Sequence, residues 1–374
     1  MSDFSLDALR RWPDVEGPDL VAVDATDRLV LDTAESAIET AASGQVVTVG
    51  DRYGALTLGA VGLHGARDVR SHQDLRSAEL ALAANARRAG LSETYASGPL
   101  DATTLGGAHV VLLQLPRSLD ALDEIAALVA AHADPSVLLV AGGRIKHMTL
   151  AMNDVLARWF AAVEPQHARQ KSRVLLASQP IDGPTTTWPV SQRHDDLSLT
   201  VWAHGAAFAG TRVDVGTRLL LGVLDDALPG AASAVDLGCG TGILATALAT
   251  RRPTLRVVAT DDSAAAVASA AATAEANGVA ARVTALQDDA AAAVADASVD
   301  LVVLNPPFHV GAGVHTGVAH KLFDAAARIL RPGGELWAVW NSHLQYRPAL
   351  ERAVGPTRQL TRDPKFTVTA STRT

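Results

Sequence analysis

The sequence predicts an α/β chain built from two copies of one doubly wound unit. Three observations carry this. Short β-rich apolar runs alternate with Ala-rich helical stretches, the pattern of βαβ units around a mostly parallel sheet. "VTVGDRYGALT" (47–57) aligns with "VDLGCGTGILA" (235–245) at a constant offset of 188, so that Val47 meets Val235, Gly50 meets Gly238 and Gly54 meets Gly242. "HVVLLQLPR" (109–117) meets "DLVVLNPPF" (300–308) at an offset of 191. Two further pairs keep the same order: "LALAANARRAGL" (80–91) with "ASAAATAEANGV" (268–279), and "PSVLLVAGG" (135–143) with "PGGELWAVW" (332–340). Repetition in fixed order marks a duplicated unit.

In the second copy the apolar runs predict strands over 233–237, 255–260, 282–286, 299–304 and 334–340. The Ala-rich stretches predict helices over 242–250, 263–277 and 319–330. Pro229-Gly230 precedes the first strand, and Pro332-Gly333-Gly334 predicts a turn into the last. The segment 180–196 is rich in turn residues and is the candidate linker. The expected division is 1–190 and 191–374.

Composition bounds the function. The chain is 48% hydrophobic and 19% charged, enough to bury a large core. Its one cysteine, Cys239, excludes a disulfide framework and a Cys-based zinc site, so no metal is expected. The acidic N-terminus lacks the apolar core of a signal peptide, and no run approaches the ~20 apolar residues of a membrane span. A cytoplasmic protein is expected. The net charge of −8 is unevenly spread: residues 301–374 hold nine bases against four acids, and Arg144, Lys146, Arg158, Arg169, Lys171 and Arg173 form a second basic cluster. Each cluster reads either as a solvated face or as an anion-binding surface.

Four strand ends carry the chemistry. Asp236-Leu237-Gly238-Cys239-Gly240-Thr241-Gly242 runs a strand into a Gly-rich turn before a helix. Glycines there permit positive φ and close approach of backbone to a ligand. The spacing is not the GxGxxG of dinucleotide binding. An acid before it suits a cofactor with positive charge, such as S-adenosylmethionine. Asp261 ends the next strand and can accept from ribose hydroxyls. Asp288, and second Asp289, are candidates for an adenine amino group, with a helix N-cap as the alternative. Last comes Asn305-Pro306-Pro307-Phe308. Two prolines cannot continue a central strand. The Asn side-chain oxygen and a proline carbonyl can accept from the two hydrogens of an NH2 group, and Phe308 can stack on a flat substrate. His309 could assist, or contact RNA, or be structural.

These motifs resemble those of class I S-adenosylmethionine-dependent methyltransferases. Asp236–Gly242 matches the cofactor motif, Asp261 the ribose acid, and Asn305–Phe308 the catalytic turn of amino-group methyltransferases. "FAGTRVDVGTRLLL" (208–221) resembles a further signature, marked by Phe208, Asp214 and Gly216. Together they are similar to the bacterial ribosomal RNA guanine-N2 methyltransferases, and "GDRYGAL" and "RIKHMTLAMNDVLARWF" look closer to the members acting on large-subunit RNA than to those acting on the small subunit. The resemblance implies two tandem Rossmann-like domains and methylation of a guanine N2 in ribosomal RNA, 23S first and 16S second. It also implies a cofactor site at Asp236, Gly238, Gly240, Gly242, Asp261, Asp288, Asp289, Asn305, Phe208 and Gly216. Since such a chain supplies its own substrate platform, a monomer is expected.

The N-terminal copy departs from the pattern. Thr48 stands where the acid should be, Arg52 replaces the middle glycine and should fill the cleft, and Gln114-Leu115-Pro116-Arg117 replaces the catalytic turn. A degenerate domain that binds RNA and supports the other is implied. The alternatives are methylation of another amino group (DNA adenine or protein glutamine), a nucleotide-dependent oxidoreductase, or a non-catalytic RNA-binding assembly protein.

Overall fold

The computed structural model describes residues 4–14, 16–17, 20–183, 185–306 and 316–374. The chain divides into two units, Met1–Trp188 and Pro189–Thr374. The first runs α1 (Ala25–Thr40), β1 (Val46–Val49), α2 (Ala55–His64), β2 (Val69–His72), α3 (Arg76–Ala89), β3 (Tyr95–Ser97), α4 (Ala102–Leu105), β4 (Val110–Gln114), α5 (Leu119–His132), β5 (Leu138–Arg144), α6 (Ala151–Leu156), β6 (Phe160–Pro165) and β7 (Ser172–Pro180). The second opens with a hairpin, β8 (Val190–His194) and β9 (Leu199–Ala203), then α7 (Val215–Leu221), β10 (Ser233–Leu237), α8 (Ile243–Arg251), β11 (Arg256–Asp261), α9 (Ala264–Ala276), β12 (Val283–Gln287), β13 (Val299–Leu304), α10 (Thr316–Ile329), β14 (Leu330–Asn341), α11 (Arg347–Ala353), β15 (Thr357–Arg362) and β16 (Phe366–Thr372).

The two sheets have one topology. Their orders are β3-β2-β1-β4-β5-β7-β6 and β12-β11-β10-β13-β14-β16-β15. The first five strands of each pair in parallel, and the last two join antiparallel. Order reverses between β1 and β4, and between β10 and β13. Such a switch point opens a crevice at the carboxyl ends of the strands, where ligands bind in this class of sheet. Helices cover both faces, so the inner strands read as continuous apolar runs; Val302, Val303 and Leu304 are fully buried.

Most expected boundaries in the second unit shift by a residue or two. Two expectations fail. Residues 190–194 are not linker but β8, paired with β9. Pro332-Gly333-Gly334 does not precede the late strand; it lies within β14, whose register against β13 shifts between Val299 and Leu301. The hairpin is held by side chains of α9 and of Asn277 just beyond it. Asn277 receives the Thr200 amide on Oδ1 at 3.0 Å and donates to the Thr200 carbonyl at 2.7 Å. The Trp202 amide donates to Thr273 Oγ1 at 3.0 Å, and the His204 amide to Ser269 Oγ at 2.9 Å. Ser269 and Thr273 on the otherwise Ala-rich α9, with Asn277 at its C-cap, therefore satisfy backbone groups of β9 and of His204 just beyond it, since residues four apart share a face. No described helix is long and apolar enough to cross a membrane.

Candidate active site

β10 and β13 are neighbours, with Leu237 opposite Leu304. The segments leaving the carboxyl ends of these two strands therefore meet at the switch point. β10 leads into the Gly-rich loop, and β13 leads into Asn305. A pocket there is lined by Phe208, Arg212, Asp214, Thr217, Gly238, Gly240 and Asn305, among others.

The loop is gripped by two carboxylates. Asp236 is 1% exposed, and its Oδ2 accepts from the Ala245 amide of α8 at 2.9 Å. Its Oδ1 is buried with no hydrogen-bond partner among the described residues. Burial, with the Asp261 charge adding to it, pushes its pKa up to about 7. A buried acceptor with no donor is costly unless a ligand supplies one. Asp261 holds the loop from β11, taking the Gly240 amide on Oδ2 at 2.9 Å and the Ser263 amide on Oδ1 at 3.0 Å.

The glycines divide. Gly238 (φ 74°) and Gly240 (φ 52°) have nothing within 4 Å of where a Cβ would stand. They leave open space at the strand ends. Gly242 (φ 73°) does not: its Cβ would stand 2.7 Å from Ala270 Cβ, so it serves the close approach of α8 to α9. A Cβ at Gly216, a residue expected in the cofactor site, would stand 3.0 Å from Asp214 Oδ2 and 3.3 Å from the Phe366 ring. Phe208 is 74% exposed at the pocket edge.

Just beyond β12, Asp289 is engaged by Lys321 Nζ at 2.6 Å. Asp288 takes the Ala293 amide on Oδ2 at 2.7 Å, and its own amide bonds the Asp261 carbonyl at 2.9 Å. Asp288 is thus tied to the end of β11 beside Asp261, while Asp289 is committed to a lysine. Burial pushes the Cys239 thiol well above its usual range, which disfavours the thiolate.

Asn305 is the site's sharpest feature. Its Nδ2 donates to Thr217 Oγ1 at 2.9 Å and to Asp214 Oδ2 at 3.2 Å. Its Oδ1 is buried and has no partner among the described residues. Pro306 is buried behind it. Pro307, Phe308 and His309 lie outside the described residues. Thr217 and Arg212 lie within the 208–221 signature but are not among its marks, and neither stands at a strand end.

The first unit has closed the corresponding loop. Thr48 bonds Thr57 across 2.7 Å between hydroxyls, where the second unit has Asp236. Asp51, three residues on, supplies a buried carboxylate that the motif comparison misses, and it is already satisfied by the amides of Gly54 at 3.1 Å and Thr57 at 2.7 Å. Arg52 does not fill the cleft as expected, because it is exposed. Tyr53 is the buried residue there, with its hydroxyl on Asp14 and its carbonyl on Asn85.

Residues 2–181 match the RLMG N-terminal domain and residues 198–370 the methyltransferase small domain. "Ribosomal RNA large subunit methyltransferase G" of Streptomyces coelicolor is 34% identical, with 96% of each chain covered. The protein of that name from Pseudomonas aeruginosa is likewise 34% identical over 96% of each. The chain belongs to the ribosomal RNA large subunit methyltransferase G family. Among solved structures, the Thermus thermophilus 16S rRNA N2 G1207 methyltransferase (RsmC), in complex with AdoMet and guanosine, matches 94% of this chain and 92% of its own, with TM-score 0.75 at 24% identity. That likeness extends the methyltransferase fold across both units. For a cofactor like the AdoMet of the Thermus neighbour, the second unit offers an unpartnered buried carboxylate oxygen at Asp236 and open space over Gly238 and Gly240.

Proposed function

We propose that the second unit methylates the exocyclic N2 amino group of a guanine in ribosomal RNA. The observation that carries this is Asn305 Oδ1, a buried acceptor with no partner among the described residues, beside the Gly-rich loop. The relatives' names favour 23S RNA. The 16S substrate and the bound guanosine of the Thermus neighbour support guanine N2 as the acceptor and keep 16S as the second reading.

S-adenosylmethionine supplies a methyl group on positively charged sulfur, with a neutral thioether as leaving group. Asp236 would hold the cofactor's ammonium, Asp261 its ribose hydroxyls and Asp288 its adenine, while Gly238 and Gly240 would let it lie against the loop. Asn305 Oδ1 and the Pro306 carbonyl accept the two N–H bonds of the amine. A guanine amine is a poor nucleophile because its lone pair is delocalised into the ring. Fixed acceptors favour the localised, pyramidal nitrogen and stabilise its developing positive charge. Phe308 is the aromatic side chain that the sequence offers for stacking on the base. Held there, S-adenosylmethionine would supply the methyl group to the amine nitrogen and leave as a neutral thioether, and the methylated amine would release one proton to water. No strong base is needed.

The first unit, with its loop closed by Asp51 and Tyr53, serves RNA binding and support. A ribosomal substrate places the reaction in the cytoplasm, with the chain acting as a monomer. Mapping N2-methylguanines in ribosomal RNA from a deletion strain tests the reading. One such methyl group should be missing from 23S RNA and be restored by the purified protein; full modification of both RNAs would contradict it.

A further inference from the structure

We infer that Thr217 is a positioning residue for this reaction: with Asp214 it holds Asn305 Nδ2, so that Oδ1 faces the reacting amine. The inference rests on the function proposed above and concerns how its acceptor is aimed.

A primary amide has two nearly isosteric faces, one donating and one accepting. Only the accepting face can bind an NH2 group. If the Asn305 amide turned over, a donor would point at the amine, and both would repel. Something must fix the orientation. Nδ2 donates to Thr217 Oγ1 at 2.9 Å and to the Asp214 carboxylate at 3.2 Å; the carboxylate can only accept and so selects the orientation, while the hydroxyl, which can accept or donate, holds the amide in the selected one. The flipped amide would place its oxygen against that carboxylate. The unflipped amide leaves Oδ1 buried and unpartnered among the described residues.

The duplication separates fold from chemistry. Gln114 aligns with Asn305, and its Nε2 donates to Asp27. Asp27 is the third residue of α1, as Thr217 is the third of α7, at an offset of 190. The clasp between the strand-end amide and the helix start is thus present in both copies and belongs to the fold. Beyond the shared clasp, Asn305 Oδ1 is a buried atom with no partner among the described residues. In the second copy the clasp has acquired an aimed acceptor.

Asp214 also caps α7 through the amides of Gly216 at 2.9 Å and Thr217 at 3.3 Å. Its removal would confound aiming with folding. Thr217→Val is cleaner, because it keeps shape and β-branching and removes only the hydroxyl. Steady-state methyl transfer should show kcat lowered about five- to tenfold, the loss expected for one buried hydrogen bond. KM for RNA and cofactor affinity by calorimetry should stay within about twofold, and Thr217→Ser should restore kcat. In the Asn305→Ala background, Thr217→Val should have no further effect, because there is no amide left to aim. Wild-type kcat in Thr217→Val, with Asn305→Ala inactive, would overturn the inference and leave the function standing. Equal loss from Thr217→Val in both backgrounds would make the role structural and also overturn it. Full activity of Asn305→Ala would leave nothing to aim and overturn the inference with the function intact, whereas no methyl transfer by the native protein would sink the proposed function itself.

Discussion

At the scale of single residues, the second unit is marked by two polar atoms left without partners where a ligand would supply them. Asp236 Oδ1 is one. With its pKa pushed to about 7, chiefly by burial, this carboxylate is about half protonated at neutral pH in the free protein. A bound cation favours the ionised form. S-adenosylmethionine affinity should therefore rise as pH goes from 6 to 8. Calorimetry in buffers of different ionisation enthalpy should show proton release below pH 7. Asp236→Asn should bind weakly with no such dependence; a pH-independent affinity in the native protein would contradict the role. The sign for folding is opposite. The folded chain keeps a proton that the unfolded chain releases near pH 4, so the free protein loses stability as pH rises from about 4 to 7. The glycines make a second residue-scale test. Gly242→Ala should destabilise by about 2–3 kcal/mol, from left-handed backbone plus overlap with Ala270, read as a lowered Tm. Gly238→Ala should cost only about 1 kcal/mol, yet weaken cofactor binding, because its Cβ enters open space over the loop. The sequence could not separate these glycines: all three fit one motif, and only the approach of α9 distinguishes them.

At the scale of elements, strand positions were legible because apolar runs bounded by turn residues leave little choice, and β10 and β13 match their expected residues. The antiparallel pair β15 and β16 carries charged and Thr-rich sequence, and its pairing depends on a partner strand that no local pattern names. β8 hides among turn residues for the same reason. It is a strand because β9 is fixed to α9. Replacing Asn277 by Ala removes both its bonds to Thr200 and leaves those backbone groups to find water. A loss of about 1–3 kcal/mol in urea unfolding is expected. An unchanged midpoint would mean the hairpin is held by its apolar contacts alone.

At the scale of the whole molecule, one topology is used twice, once with an open loop and once with a closed one. The repeat was legible from aligned residues, and the identical strand orders repeat it in three dimensions. The closing of the first loop was only half legible. Arg52 stood out by charge but is exposed, whereas Asp51 and Tyr53 act by burial, which sequence does not display. Calorimetry should find one S-adenosylmethionine site per chain, lost in Gly240→Arg; two equal sites would show that the first unit still binds cofactor. The central claim is that Asn305 Oδ1 receives the reacting amine, and Asn305→Ala tests it most directly. Cofactor affinity should stay within about twofold of the native value, while methyl transfer to ribosomal RNA falls about 100-fold or more. Methyl transfer at the native rate would contradict the claim.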